Sequence, residues 1–284
     1  MVTAANTATT EAEVPVQIIR PIQGWVGLDL HELWQYRELT VFFAWRTILI
    51  RYKQTALGIA WAVLQPLMLM VVMTLFFSSF AKQAGVPGPI FFFAGLVPWT
   101  FFANGLTQSS NSLVGNANLL SKVYFPRLVA PIAAVVATLL DFALAFVILV
   151  VMMAWYGIYP RPIAALVIPG LVLLAFAAAL GLGLWLSALN VHYRDVQYVV
   201  PFLVQLGLFA SGVVFAATTL AEPWQTLLGL NPMAGVVTGF RWALLGTPGN
   251  IGPMLALSVA STVALCVSGL IYFRRREQTF ADVL

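Results

Sequence analysis

Across residues 54–81 no side chain carries a charge, and five further stretches of similar length repeat that pattern almost unbroken. A helix needs about 20 apolar residues to cross a hydrocarbon layer about 30 Å thick, because each residue advances it by about 1.5 Å. Six runs reach that length, at roughly 57–80, 90–113, 128–155, 163–189, 196–215 and 251–273. Peptide groups in hydrocarbon must be hydrogen-bonded within the protein, which leaves helices or a closed barrel. Barrel strands alternate apolar and polar residues over about ten positions, and these runs are longer and do not alternate. With 61% apolar and 8% charged residues, the chain also has too little polar surface to cover a soluble globule. An all-α integral membrane protein with six transmembrane helices is expected.

The basic residues set the orientation. With the N-terminus inside, the inner segments hold Arg20, Arg37, Arg46, Arg51, Lys53, Lys122, Arg127, Arg194 and Arg274, Arg275 and Arg276, and the outer ones hold Lys82, Arg161 and Arg241. The division is 11 against 3, which predicts an N-in, C-in topology. The net charge of +4 is thus read as topology and not as nucleic-acid binding.

The flanks divide further. Residues 1–28 read as a flexible cytoplasmic tail without the basic start and apolar centre of a signal peptide. Residues 29–53 mix apolar groups (Leu30, Leu33, Trp34, Val41, Phe42, Trp45) with charges, the pattern of an amphipathic helix lying flat on the inner leaflet or else of a soluble cap helix. Residues 54–273 make the six-span domain and 274–284 a cytoplasmic C-terminal tail. Between the fifth and sixth spans the apolar segment is broken by Pro223 and Pro232, each after a possible helix cap, Glu222 and Asn231. The pieces that follow are too short to cross, so two short helices in the outer leaflet are expected.

Catalytic signatures are missing. None of Lys53, Lys82 and Lys122 sits in a phosphate-gripping GxxxxGK[ST] loop, and His31 opens "HELWQ" with Gln35 where a zinc helix needs its second His. No metal site, bound cofactor or enzymatic activity is expected of the chain, and its one cysteine, Cys266, allows no internal disulfide. Asp141 is the only acid well inside a span. It serves either as an ion or proton site or, as favoured here, as the partner of a neighbouring polar group. Tyr198, Phe202, Gln205, Phe209 and Gly212 share one face of the fifth span, and Asn104, Gln108 and Asn111 share one face of the second. Both faces should look inward. They form either a conduit wall suited to sugar rings or ordinary contacts between helices. Ala175, Ala179, Gly183 and Ser187 make a small-residue stripe for close helix packing, within the subunit or against another. The short inner loop "NANLLSKVYFPRLVAP" reads as a docking surface built on Lys122, Tyr124, Phe125 and Arg127, or as an interfacial anchor.

Four blocks carry a resemblance: "LWQYRELTVFFAWRTILIRYKQTALGIAWAVLQPL", "LLSKVYFPR", "NVHYRDVQYVVPFLVQ" and "LNPMAGVVTGFRWALLG". In this order, within about residues 29–273, they resemble the permease subunit of bacterial ABC transporters that export lipid-linked O-antigen, capsular polymers or teichoic acid. The resemblance implies a multi-pass protein of the bacterial cytoplasmic membrane. It also implies a homodimer with two separate ATP-binding cassette subunits, which hold the ATP and Mg. Leu119, Lys122, Tyr124, Phe125 and Arg127 would lie on the segment that meets the ATPase. The polymer would pass at the dimer interface along aromatics of the first, second and fifth spans. Trp61, Phe77, Trp99, Tyr198, Phe202 and Phe209 are the candidates, with Asn104, Gln108 and Gln205 beside them. Arg51, Tyr52 and Lys53 lie where the surface helix turns into the membrane. They either bind lipid or pyrophosphate headgroups and gate the first span, or serve topology alone. The rival functions are an ABC permease for a small drug or lipid, an ion-coupled carrier centred on Asp141, and a membrane-embedded transferase.

Overall fold

The computed structural model describes residues 30–53, 58–120, 122, 125–249, 251–277 and 279–280, and the expected tail at residues 1–28 lies outside them. Every regular element among the described residues is helical. Helices α1 (Leu30–Gln35) and α2 (Arg37–Tyr52) precede a single 3-10 turn, Gly58–Ala60. Then come α3 (Trp61–Gln83), α4 (Gly88–Gly115), α5 (Ala117–Leu120), α6 (Val129–Ala137), α7 (Leu139–Trp155) and α8 (Ala164–His192). The chain finishes with α9 (Val196–Ala210), α10 (Trp224–Leu227), α11 (Pro232–Leu245) and α12 (Gly252–Glu277).

Five helical stretches are long and apolar enough to cross a membrane: Gly58–Gln83, Gly88–Gly115, Val129–Trp155, Ala164–His192 and Gly252–Glu277. Their bounds follow the expected runs closely, because the limits of uncharged sequence are also the limits of what hydrocarbon accepts. The third run is two helices, α6 and α7, joined at Thr138. The expected fifth span differs. Its helix stops at Ala210 after 15 residues, which is about 22 Å and short of the hydrocarbon thickness. The cause is a side chain from elsewhere. Arg241 of α11 takes the carbonyls of Gly212, Val213 and Phe215, so the backbone beyond α9 is satisfied without continuing the helix.

Helix α4 is the centre of the bundle. Of its apolar stretch 78% is buried, against 11% for the first span and 22% for the last, so α4 is enclosed by the others while α3 and α12 present apolar faces outward. A single cluster of Phe91, Phe92, Phe93, Phe101 and Phe240 with residues of α3, α7, α8 and α11 makes the main core. The small-residue stripe of α8 is wholly buried within the chain, and Gly183 sits against Ser109 of α4. An added Cβ there would lie 2.4 Å from the Ser109 hydroxyl. The stripe therefore serves packing inside the subunit.

The segment after α9 keeps its expected breaks. Asn231 caps α11 by accepting from the Met233 amide at 3.0 Å, and Gly246 ends that helix with φ +69°, a left-handed conformation natural to glycine. The first of the two short helices is reduced to the single turn α10 and a following 3-10 turn. Glu222 is not its cap: its carboxylate accepts the Thr226 hydroxyl at 3.1 Å instead.

Helix α2 packs along α6: its Phe43 meets Phe125, and Arg51 near its end meets Asp141 at the start of α7. Helix α12 runs through Arg274–Arg276 to Glu277, and Phe280 is fully buried against Phe273.

The packing of α4 on α8 yields a prediction. Gly183→Leu forces the two helices apart and destabilises the folded protein in detergent by about 1–3 kcal/mol, with Gly183→Ala costing less. Thermal unfolding followed by a folding-sensitive fluorescent probe measures both.

Candidate functional site

An acid inside a span costs about 2.5–3.5 kcal/mol on insertion scales and needs a partner. Asp141, in the first turn of α7, has two. Arg51 Nη1 donates to Oδ2 at 2.5 Å and the Tyr52 hydroxyl donates to Oδ1. The partner is therefore the end of α2, not a polar residue on a neighbouring span. The carboxylate is 9% exposed and Arg51 31%, so the pair lies at a boundary: its acid is in the bundle and its cation reaches water. Burial, and then the bond to Asp141, push the Tyr52 phenol up to about 12, which keeps it a neutral donor at ordinary pH. Lys53, one residue on, is exposed.

This cluster borders a cleft of about 390 Å³ between α2, α3, α4 and α7. Trp61, Gln65, Asn104, Thr107 and Gln108 are among its walls. Five expected site residues thus meet in one place: Arg51, Tyr52, Trp61, Asn104 and Gln108. Gln108 Oε1 is buried and has no hydrogen-bond partner among the described residues. A second cleft of about 240 Å³ shares Thr107 and Gln108 and lies between α2, α4 and α6. Asn111, which borders it, accepts from the amide of Asn190 at 3.0 Å, a link between α4 and α8 absent from the sequence reading. Amides, hydroxyls, an ion pair and one indole face make these clefts suited to neutral groups rich in hydroxyls.

The other expected path residues lie elsewhere. Trp99 is buried and borders an apolar groove of about 190 Å³ with Phe102 of α4 and Gly207 of α9. Phe77 packs on the main core and stacks on Phe80 at 6.4 Å, at a point where α3 departs from helical geometry (φ −121°, ψ 17°). Tyr198, Phe202 and Phe209 are 74%, 59% and 48% exposed, and Gln205 is exposed beside them. They do share one face of α9, but it looks away from this chain's own bundle, contrary to the expectation that it faces inward.

The inner loop also differs from its expected form. Phe125 is buried, its ring 5.4 Å from that of Phe43, because α2 covers it. Arg127 donates to the Glu277 carbonyl. Leu119 is partly buried against the same small cluster as Phe43 and Phe125. Of the five residues expected on the segment that meets the ATPase, Lys122 is exposed, and Tyr124 lies outside the described residues.

One charged residue was misplaced by the sequence reading. Arg241, expected in an outer loop, is 3% exposed inside the bundle. Its Nε donates to the Phe91 carbonyl at 3.1 Å, Nη1 to Gly212 at 2.7 Å and Nη2 to Val213 at 2.5 Å. The guanidinium lies 3.7 Å from the centre of the Phe91 ring, and Gly95 leaves it room, since a Cβ there would sit 2.6 Å from Nη2. The signal was present in "TGFRWALL", an Arg with apolar neighbours and no acid nearby.

Residues 38–245 match the family described as ABC-2 type transporter. The chain is 32% identical over 257 residues to the O-antigen export system permease protein RfbA of Myxococcus xanthus, covering 89% of this chain and 98% of that protein. Over 248 residues it is 26% identical to an O-antigen export system permease protein RfbA of Klebsiella pneumoniae (87% and 95%). Over 241 residues it is 26% identical to the polysialic acid transport protein KpsM of Escherichia coli (82% and 91%).

The ion pair can be tested by a double-mutant cycle. Asp141→Leu alone, or Arg51→Met alone, costs about 1–3 kcal/mol, discounted for the partial exposure of Arg51. The double substitution costs less than the sum of the singles by about 0.5–3 kcal/mol. Unfolding in detergent micelles measures all three, and strict additivity would remove the coupling.

Proposed function

The chain belongs to the ABC-2 type transporter family, and on that premise we propose that it is the membrane subunit of an ATP-driven exporter of a lipid-linked polysaccharide of the O-antigen class. The observation that carries this reading is the likeness to an O-antigen export permease over 98% of that protein's length. It is a multi-pass membrane protein, and the cytoplasmic membrane is the place where such a subunit works.

In this reading the chain supplies the path and the surface that receives force. ATP and Mg reside on two separate ATP-binding cassette subunits. Two copies of the chain face each other, which would give the outward aromatic face of α9 and the outward apolar face of α3 a neighbour other than lipid. The polymer passes between the copies. Helix α9, followed by the turn at residues 211–217, serves as the fifth of six crossings and α10 and α11 dip in from the outer side, with both termini inside. The 11-to-3 division of basic residues supports that orientation even with Arg241 moved from the outer loop to the interior, which leaves 11 against 2.

Within the site, the clefts beside Arg51 and Asp141 offer hydrogen-bonding groups to sugar hydroxyls. Arg51 is already paired, so exposed Lys53 is the freer cation for a lipid phosphate. A carrier centred on Asp141 has little to support it, because both carboxylate oxygens are engaged. A drug-type permease would favour apolar linings, whereas the larger clefts here include amides and hydroxyls among their walls.

Deleting the gene for this chain in its own host tests the proposal. Lipid-linked polymer is expected to accumulate inside and to vanish from the surface, with restoration by the chain only when a functional ATPase partner is present. Normal surface polymer in the deletion strain would overturn the reading.

A further inference from the structure

We propose that the C-terminal turn holds the loop between α4 and α6 in the pose from which it receives the motion of the ATPase, with Phe280 and Arg127 as positioning residues. The proposal rests on the reading that this loop is the coupling segment.

The argument begins with an oddity of sequence. The charged run at 274–277 is followed within three residues by a phenylalanine. In a solvated tail that ring would lie in water. Here it is fully buried. The helix end is closed first: Arg274 pairs with Glu277 at 2.9 Å, and the Thr279 hydroxyl donates to the Arg276 carbonyl at 2.8 Å. The chain then turns back, and Phe280 enters a pocket made by the ends of three spans. Leu113 of α4, Leu128 and Ala130 at the start of α6, and Ala188 and Val191 of α8 belong to its cluster. Phe273 lies 5.4 Å away, ring to ring, and the His192 ring 6.3 Å. The Thr279 hydroxyl is also 3.3 Å from His192 Nε2.

The turn grips the loop directly. Arg127 donates to the Glu277 carbonyl while its guanidinium lies 5.8 Å from the centre of the Phe280 ring. Two residues earlier Phe125 is held by Phe43 of α2. The loop is thus pinned at two neighbouring points, by the N-terminal helix at 125 and by the C-terminal turn at 127, while Lys122 stays exposed. A push delivered near Lys122 therefore has two routes inward. One runs through α2 to Arg51 and Asp141, the other through the turn to α12. The cluster around Phe280 is separate from the main core, so loosening it leaves the phenylalanine-rich centre of the bundle in place.

The test uses the full complex with its ATPase in proteoliposomes, supplied with lipid-linked polymer extracted from cells that lack this chain. The readout is polymer translocated per ATP hydrolysed, which does not depend on how much complex assembles. Phe280→Ala, Arg127→Gln and a chain ending at Glu277 are each expected to lower that ratio about fivefold, while Phe280→Leu, which keeps apolar volume, recovers most of it. Should Phe280→Ala fail to assemble, the shortened chain and Arg127→Gln give the same reading. An unchanged ratio in those variants overturns the proposal, even if less complex is recovered. Lys122→Glu separates the two layers. If it lowers the ratio and the Phe280 variants do not, the fastening role falls alone; if it too has no effect, the loop is not the coupling segment.

Discussion

Inside a membrane each polar group must find its partner within the protein, and the few charges of this chain show how far that requirement shapes the fold. Among the described residues no acid pairs with Arg241. It is satisfied by backbone carbonyls from the start of α4 and from the turn after α9, and by the face of Phe91. The bonds at residues 212 and 213 satisfy the turn that follows α9, and Asn231 and Ser211 take the carbonyls of Ala210 and Gly207 in its last turn, so α9 can stop there. Asp141 follows the same rule at the other end of the bundle. Its partners come from α2, so the helix before the first span is tied to the third. Neither pairing adds much net stability over an apolar replacement of the same shape, but removing one member would strand the other.

These ties divide the protein into a rigid centre and connected margins. Helix α4, enclosed on all sides, and α8, packed against it through small residues, form the centre. At one end α2 and the C-terminal turn each hold the segment before α6, α2 at Phe125 and the turn at Arg127. The polar clefts open beside that end. The arrangement fits a subunit that is pushed from outside: the loop that would receive the push is fastened both to the helix bordering the clefts and to the last span.

Much of this was legible in the sequence because hydrocarbon imposes a simple length rule. Five of the six expected crossings were bounded to within a few residues by their apolar runs, and Asn231 announced its own helix by the proline after it. What was not legible depended on contacts between distant residues. That α9 is short follows from Arg241, 31 positions beyond its end, and no local pattern reports it. Phe125 read as exposed because it lies in a basic loop, yet a helix whose Phe43 lies 82 residues earlier covers it. Asn104 and Gln108 were found by their spacing and do share a cleft, whereas Trp99 and Phe77, chosen for being aromatic, are absorbed into packing. The face of α9 was correctly grouped, but periodicity cannot say whether such a face meets its own chain or something outside it.

The central claim is that this chain forms a path for polymer whose driving energy arrives from another subunit. Its most direct test is flux of lipid-linked polymer across vesicles holding the purified chain, with and without the ATP-hydrolysing partner and ATP. Flux that requires the partner, and stops when hydrolysis is blocked, is the predicted result. Sustained polymer movement by the chain alone would contradict the account.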